Sequence, residues 1–257
     1  VIPGNYDLQE YYNSPQGRFV LRCLKRKIER IWPVDEMGGL VMAGFGYCFP
    51  YLDGYRDEAE VFAMVARRAG PYHWPNGAAN RVVLCRRGEW PFPKESMDRI
   101  LVIHDGEYSS GLQGFLSEVW RVLKPNGRLL MVVPNRKGAW ARSDQNPFGH
   151  GAPYSFTQVR DVLRECHFVY EGAQGALLTP PLRRHLPLRA LSLLCEPLSG
   201  YCPSMSGVYL VEASKRLYAM PPAGKTIGSN IRKLVWPAPA AARPATGFNL
   251  TPYRDNK

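Results

Sequence analysis

Val20, Leu24, Ile28 and Ile31 recur at helical spacing, and Arg18, Arg22, Lys25, Arg26, Lys27 and Arg30 fall largely on the remaining faces. This predicts an amphipathic helix over residues 18–32, opened by the turn signal Asn13-Ser14-Pro15-Gln16-Gly17 and stopped by Pro33. A short buried-type strand at 40–43 runs into Gly44-Phe45-Gly46-Tyr47. An acidic helical stretch carrying Asp57, Glu58 and Glu60 comes next, then strands at 61–65, 81–85 and 97–103 and a helix at 112–123. The turn Lys124-Pro125-Asn126-Gly127 leads to an apolar strand at 128–133. A helix at 155–166 and a strand at 207–213, expected on the far edge of the sheet, complete the pattern. Strands alternating with helices at this spacing predict βαβ units: an α/β, doubly wound, mostly parallel sheet.

The chain has 257 residues, enough for a full core without disulfide or metal staples. The formal charge of +11 favours contact with anionic partners without choosing among them. Residues 221–257 hold six prolines and six basic residues against the single acid Asp255, with Trp236, Phe248 and Tyr253 as anchors. Such a segment orders only against a partner. The organisation expected is a helical segment at 1–37, a main domain at 38–220 and a Pro/Ala-rich basic tail at 221–257. No apolar run reaches the length of a membrane span. Six scattered cysteines without C-x-x-C spacing suit a reducing compartment, cytoplasm or an organelle matrix, and no metal site is expected.

Three blocks in order resemble the class I S-adenosylmethionine-dependent methyltransferases: Gly44-Phe45-Gly46 after a strand; residues 89–98, similar to L-P-F-x-D-x-S-F-D; and residues 118–129, similar to E-x-x-R-V-L-K-P-G-G-x-L. The resemblance covers residues 38–135 and implies the Rossmann-like fold of that family, with S-adenosylmethionine as cofactor. Each block also has a structural reading. Asp98 enters a strand, and Asn126 and Gly127 suit positive φ in a turn. A dinucleotide is less well served, because Phe49 stands where a third glycine would fall.

In-line methyl transfer asks the protein to position donor and acceptor and, where needed, to take a proton. The resemblance places the donor against Gly44, Gly46, Tyr47, Met64, Glu89 and His104. The family's ribose-binding acid at the end of the second strand is replaced by Met64 or a neighbour, and its adenine-side Asp by Arg86, with Glu89 the nearby acid. Acceptor-side candidates are His104, Asp105, Glu107, Tyr108, Asn135, Arg142, Asp144, His150 and Tyr154. Tyr108 stands where the family often has His, and His150, between two glycines, is the candidate base. Trp74, Trp90 and Trp140 suit either a pocket wall or the core.

Two functions follow: a methyltransferase acting on a small-molecule or protein acceptor, or a catalytically inactive accessory or assembly subunit of a larger complex, docked by the basic helix and the tail. A nucleic-acid partner rests on charge alone, with no RNA-binding module in the sequence.

Overall fold

The computed structural model describes residues 4–105, 111–143, 146–150, 154–179 and 206–217. The predicted tail, Glu107, Tyr108 and Asp144 lie outside them. Ser14 caps the first long helix: its side chain accepts from the Gly17 amide at 3.0 Å, and Pro15 takes the first helical position. That helix, α2 (Pro15–Ile31), follows a shorter one, α1 (Asn5–Asn13). Periodicity does not announce α1, because its buried residues are Asn5, Leu8 and Tyr12, with only one aliphatic among them. On α2, Phe19, Val20, Cys23, Leu24 and Ile28 are buried. Arg18, Arg22, Arg26 and Arg30 are exposed, as the pattern predicts, whereas Lys27 is buried.

The sheet has seven strands: β1 (Val41–Gly46), β2 (Glu60–Ala66), β3 (Val82–Cys85), β4 (Met97–Ile103), β5 (Leu123–Pro134), β6 (Phe168–Ala176) and β7 (Val208–Lys215). Their order is β3-β2-β1-β4-β5-β7-β6. The first five run parallel, and β7 pairs antiparallel with both β5 and β6. The strand expected on the far edge therefore lies one place in, fully buried, and β6 forms the edge. The sequence of β6 hides it: Gly172, Gln174 and Gly175 interrupt its apolar positions. The acidic stretch is a turn at 57–59 that runs into β2 at Glu60 rather than a helix, since after α3 (Phe49–Leu52) no apolar period continues to hold one against the sheet.

Two core layers sandwich the sheet. On one face α1, α2 and α3 pack Leu8, Val20, Leu24, Ile28 and Leu52 against Met42, Leu101 and Leu130. The amino-terminal segment thus shares its core with the sheet. On the other face α4 (Leu112–Val122) and α5 (Phe156–Glu165) pack Phe115, Leu116, Val119, Val159 and Leu163 against Ile100, Val102 and Leu129. Each such side chain contributes about 1.5–3 kcal/mol of burial. The buried Lys215 ammonium donates to the carbonyls of Leu123 and Trp120 at 2.7 and 2.9 Å, capping the end of α4.

The motif residues at 89–129 hold this frame together. The Asp98 carboxylate accepts from the Val41 amide at 2.9 Å and from Lys124 at 2.7 Å, joining the entries of β1, β4 and β5. Glu118 accepts from the Trp90 amide at 2.7 Å and from Arg121, whose remaining N–H groups reach the Phe92 and Trp90 carbonyls. The turn predicted at 124–127 lies within β5, where Asn126 takes φ +63° at the shift in register between Leu123 and Arg128.

Candidate functional site

The strand order reverses between β1 and β4, and in open α/β sheets a crevice opens at the carboxyl edge of such a switch point. The last paired residues are Gly46 on β1 and Ile103 on β4. Gly46 has φ +87°, and a Cβ there would lie 2.2 Å from the Ile103 carbonyl oxygen, so only glycine lets the strands part in this way. Gly44 serves packing: a Cβ would meet Cys48 and Leu52 at 2.6 and 2.7 Å, so its absence seats α3 on the strand.

Beyond Ile103, His104 takes a positive φ of +56°, which turns it out of β4 toward the crevice. Its Nε2 lies 2.7 Å from the Tyr12 hydroxyl, which arrives from α1, and Tyr51 donates to that same hydroxyl at 2.9 Å. Which partner of the Tyr12–His104 pair donates follows from the imidazole tautomer. Tyr47 stacks on Tyr12 with centroids 5.2 Å apart, and Phe148 lies 4.6 Å from the His104 ring. All five side chains are buried. Burial, then the neighbouring phenols, holds the Tyr12 hydroxyl far above the ordinary phenol range; burial does the same to Tyr51 against the opposing hydrogen bond with Tyr12. Both phenols are neutral at physiological pH, so the link between Tyr51 and Tyr12 carries no charge.

The ends of β2 and β3 have a different character. Met64 is buried in the layer with Phe45, Trp90 and Phe115, a packing position. After Ala66 come Arg67 and Arg68, and after Cys85 come Arg86 and Arg87. Arg87 donates to both the backbone carbonyl and the carboxylate of the buried Asp105, and Arg68 lies 3.9 Å from the same carboxylate. Glu89 is exposed and paired with Arg86 at 3.3 Å. Burial, then the Asp105 charge, pushes the Cys85 thiol up to about 12.

His150 ends the short turn Pro147–Gly149, two residues beyond the Phe148 that covers His104. Asn146 fixes this turn by donating to the Trp140 and Ser143 carbonyls. Asn135 is structural, donating to the Ser206 carbonyl at 2.7 Å, and Arg142 is exposed. Trp74, Trp90 and Trp140 are core: each is buried, and their indole N–H groups donate to Asp53, Arg87 and Thr179. Sequence reasoning missed Tyr12 and Tyr51. The signal was the tyrosine run Tyr11-Tyr12 on a short element, which periodicity counts as polar.

Among the described residues no cluster of His, Cys, Asp or Glu could hold a metal ion, and no helix is long and apolar enough to cross a membrane. A methyl donor of the kind the sequence resemblance implies needs room above Gly46 and Tyr47. In this structure Tyr12 stacks on Tyr47 and reaches His104 Nε2, so its ring lies against two of the residues to which the resemblance assigns the donor.

Comparison with known proteins bears on the class. Residues 56–131 match the methyltransferase domain family. A demethylmenaquinone methyltransferase of Tropheryma whipplei strain Twist is 48% identical over 44 residues, a stretch covering 17% of this chain and 18% of that enzyme. An S-adenosylmethionine-dependent methyltransferase from Thermotoga maritima superposes with a TM-score of 0.54 at 12% identity, over 81% of this chain and 94% of that one. A methyltransferase solved with the Haloferax volcanii Trm112 activator gives 0.50 at 14% identity, over 75% and 93%. With the strand order in place, the chain has the fold of the class I S-adenosylmethionine-dependent methyltransferases, and residues 56–131 within it match the methyltransferase domain family.

Proposed function

We propose that the protein is an S-adenosylmethionine-dependent methyltransferase whose donor enters the β1–β4 crevice when α1 withdraws Tyr12. The observation that carries this reading is the Tyr51–Tyr12–His104 chain lying across the switch point, because its middle member is supplied by a helix outside the sheet and held by two hydrogen bonds. Gly46, Tyr47 and His104 front the crevice and are the residues that would hold the donor. Bound there, S-adenosylmethionine supplies a methyl group on a sulfonium sulfur. The protein's own part is to position and to dry the site: Tyr47 and Phe148 exclude water, and the strained His104 backbone aims the imidazole. Once Tyr12 leaves, His104 Nε2 faces the crevice, placed to take a proton from an acceptor molecule. His150, carried on the same turn as Phe148, is the second candidate base.

A second reading has one observation in its favour. Arginines stand where a nucleoside donor would meet carboxylates, which suits a non-catalytic accessory subunit. The similar Haloferax volcanii structure is itself a complex with an activator. Calorimetric titration with S-adenosylmethionine separates the two. Gated donor binding predicts a saturable signal that tightens about tenfold in Tyr12→Phe, which removes the hydroxyl from the chain and keeps the ring. Absence of saturation at millimolar donor in both proteins would exclude the enzyme reading and leave the accessory one.

A further inference from the structure

Ala66 and Cys85 are directly paired in the parallel β2–β3 ladder, and each is followed by two arginines. Adjacent strands lie about 4.8 Å apart, so the pairs Arg67-Arg68 and Arg86-Arg87 leave the sheet side by side at its carboxyl edge. Both turns are pinned. The Arg67–Ala69 turn ends at Gly70, whose carbonyl accepts from Asn5 at 2.9 Å. The second turn closes through the Glu89 amide on the Arg86 carbonyl at 3.2 Å and the Trp90 indole on the Arg87 carbonyl at 3.1 Å.

Among the described residues, Arg87 is four-fifths buried and oriented by Asp105, which also draws in Arg68, while Glu89 pairs with Arg86. Arg67, Arg68 and Arg86 remain exposed on two fixed turns. By contrast, Arg22, Arg26 and Arg30 of α2 are spread along a helix flank, one per turn, and do not converge.

We propose that Arg67, Arg68, Arg86 and Arg87 form a binding site for a small ligand bearing two or more phosphates. Guanidinium forks match phosphate oxygens two at a time, and turns already fixed reduce the ordering cost of binding. Arg87 acts as the positioned member and the three exposed arginines close on the ligand. The site needs no movement of Tyr12, but it stands where the resemblance puts the donor's ribose and adenine, so a phosphate ligand here would compete with a methyl donor and is tested without one.

The test uses the full-length protein without donor, titrated with inorganic pyrophosphate and, in parallel, with ADP at about 50 mM salt, where charge contacts are weakly screened. The expected result is one-to-one saturation below about 1 mM, weakened about tenfold to a hundredfold in Arg67→Ser/Arg86→Ser. Both substitutions are exposed and leave the fold unchanged. Arg87→Lys, which keeps the charge and removes the fork, is expected to weaken binding by about tenfold. The control Arg26→Ser/Arg30→Ser on α2 is expected to bind as wild type. Tighter ADP than pyrophosphate assigns a nucleotide, and equal affinity assigns the phosphates alone. No saturation with either probe, or equal weakening in the α2 control, overturns the site.

Discussion

Asp98 and Glu118, which tie the entries of the strands to α4 and to the loop before β4, are each held by several charge-assisted hydrogen bonds from residues in the motif blocks. His104, at the opposite end of β4, meets a neutral phenol that belongs to another element, α1. Both regions are buried and polar, but they differ in what loss of a contact would do. At the first, removing a partner strands a charge; at the second, it leaves a phenol and an imidazole that another hydrogen-bonding partner could satisfy. The most family-like residues of this protein therefore build its frame, and the less recognisable ones line its crevice.

The largest expected effect comes from the frame. Glu118→Ala should cost about 3 kcal/mol, because Arg121 and the Trp90 amide lose their acceptor, read as a lower urea midpoint with unchanged slope. An equal loss from His104→Ala would erase the contrast. The acid limb sharpens it. Burial pushes the Glu118 carboxyl up, but hydrogen bonds from Arg121 and the Trp90 amide, with the Arg121 charge, outweigh it and hold the group below its usual range. Its stabilisation is present above the ordinary carboxyl pKa and is lost as pH falls through the depressed folded value. Wild type should thus shed stability faster than Glu118→Gln below about pH 4 in acid titrations followed by circular dichroism.

At the crevice, Tyr12→Phe should cost about 1–2 kcal/mol, since the ring still stacks on Tyr47 while two hydrogen bonds go. A cost matching that of Glu118→Ala would make α1 part of the frame rather than a gate. Smallest is Arg67→Ser/Arg86→Ser, expected within about 0.5 kcal/mol of wild type by thermal melting, because neither arginine is buried.

The contrast also explains what the sequence disclosed. Alternating apolar runs and the blocks at 89–98 and 118–129 are local patterns, and they specified five parallel strands, α2, α4 and α5 before any coordinates. The positive φ of Asn126 was legible for the same reason. The crevice is built from residues 12, 47, 51, 104 and 148, brought together across four elements and a turn, and no short-range spacing encodes that meeting. The strand-then-glycine pattern locates the end of β1, where Gly46 and Tyr47 stand beside His104, while Gly44 of β1 and Met64 of β2 pack into the core. The edge strand β6 stayed hidden because its glycines break the alternation that periodicity detects.

The inserted position of β7 sets an order of events during synthesis. β6 leaves the ribosome first, yet among the described strands its hydrogen-bonding partner is β7, made some thirty residues later, and only β7 completes both ladders. Until Lys215 has emerged, the nascent chain presents an open β5 edge and a strand with nothing to pair with, the kind of surface that chaperones hold and that neighbouring nascent chains can join.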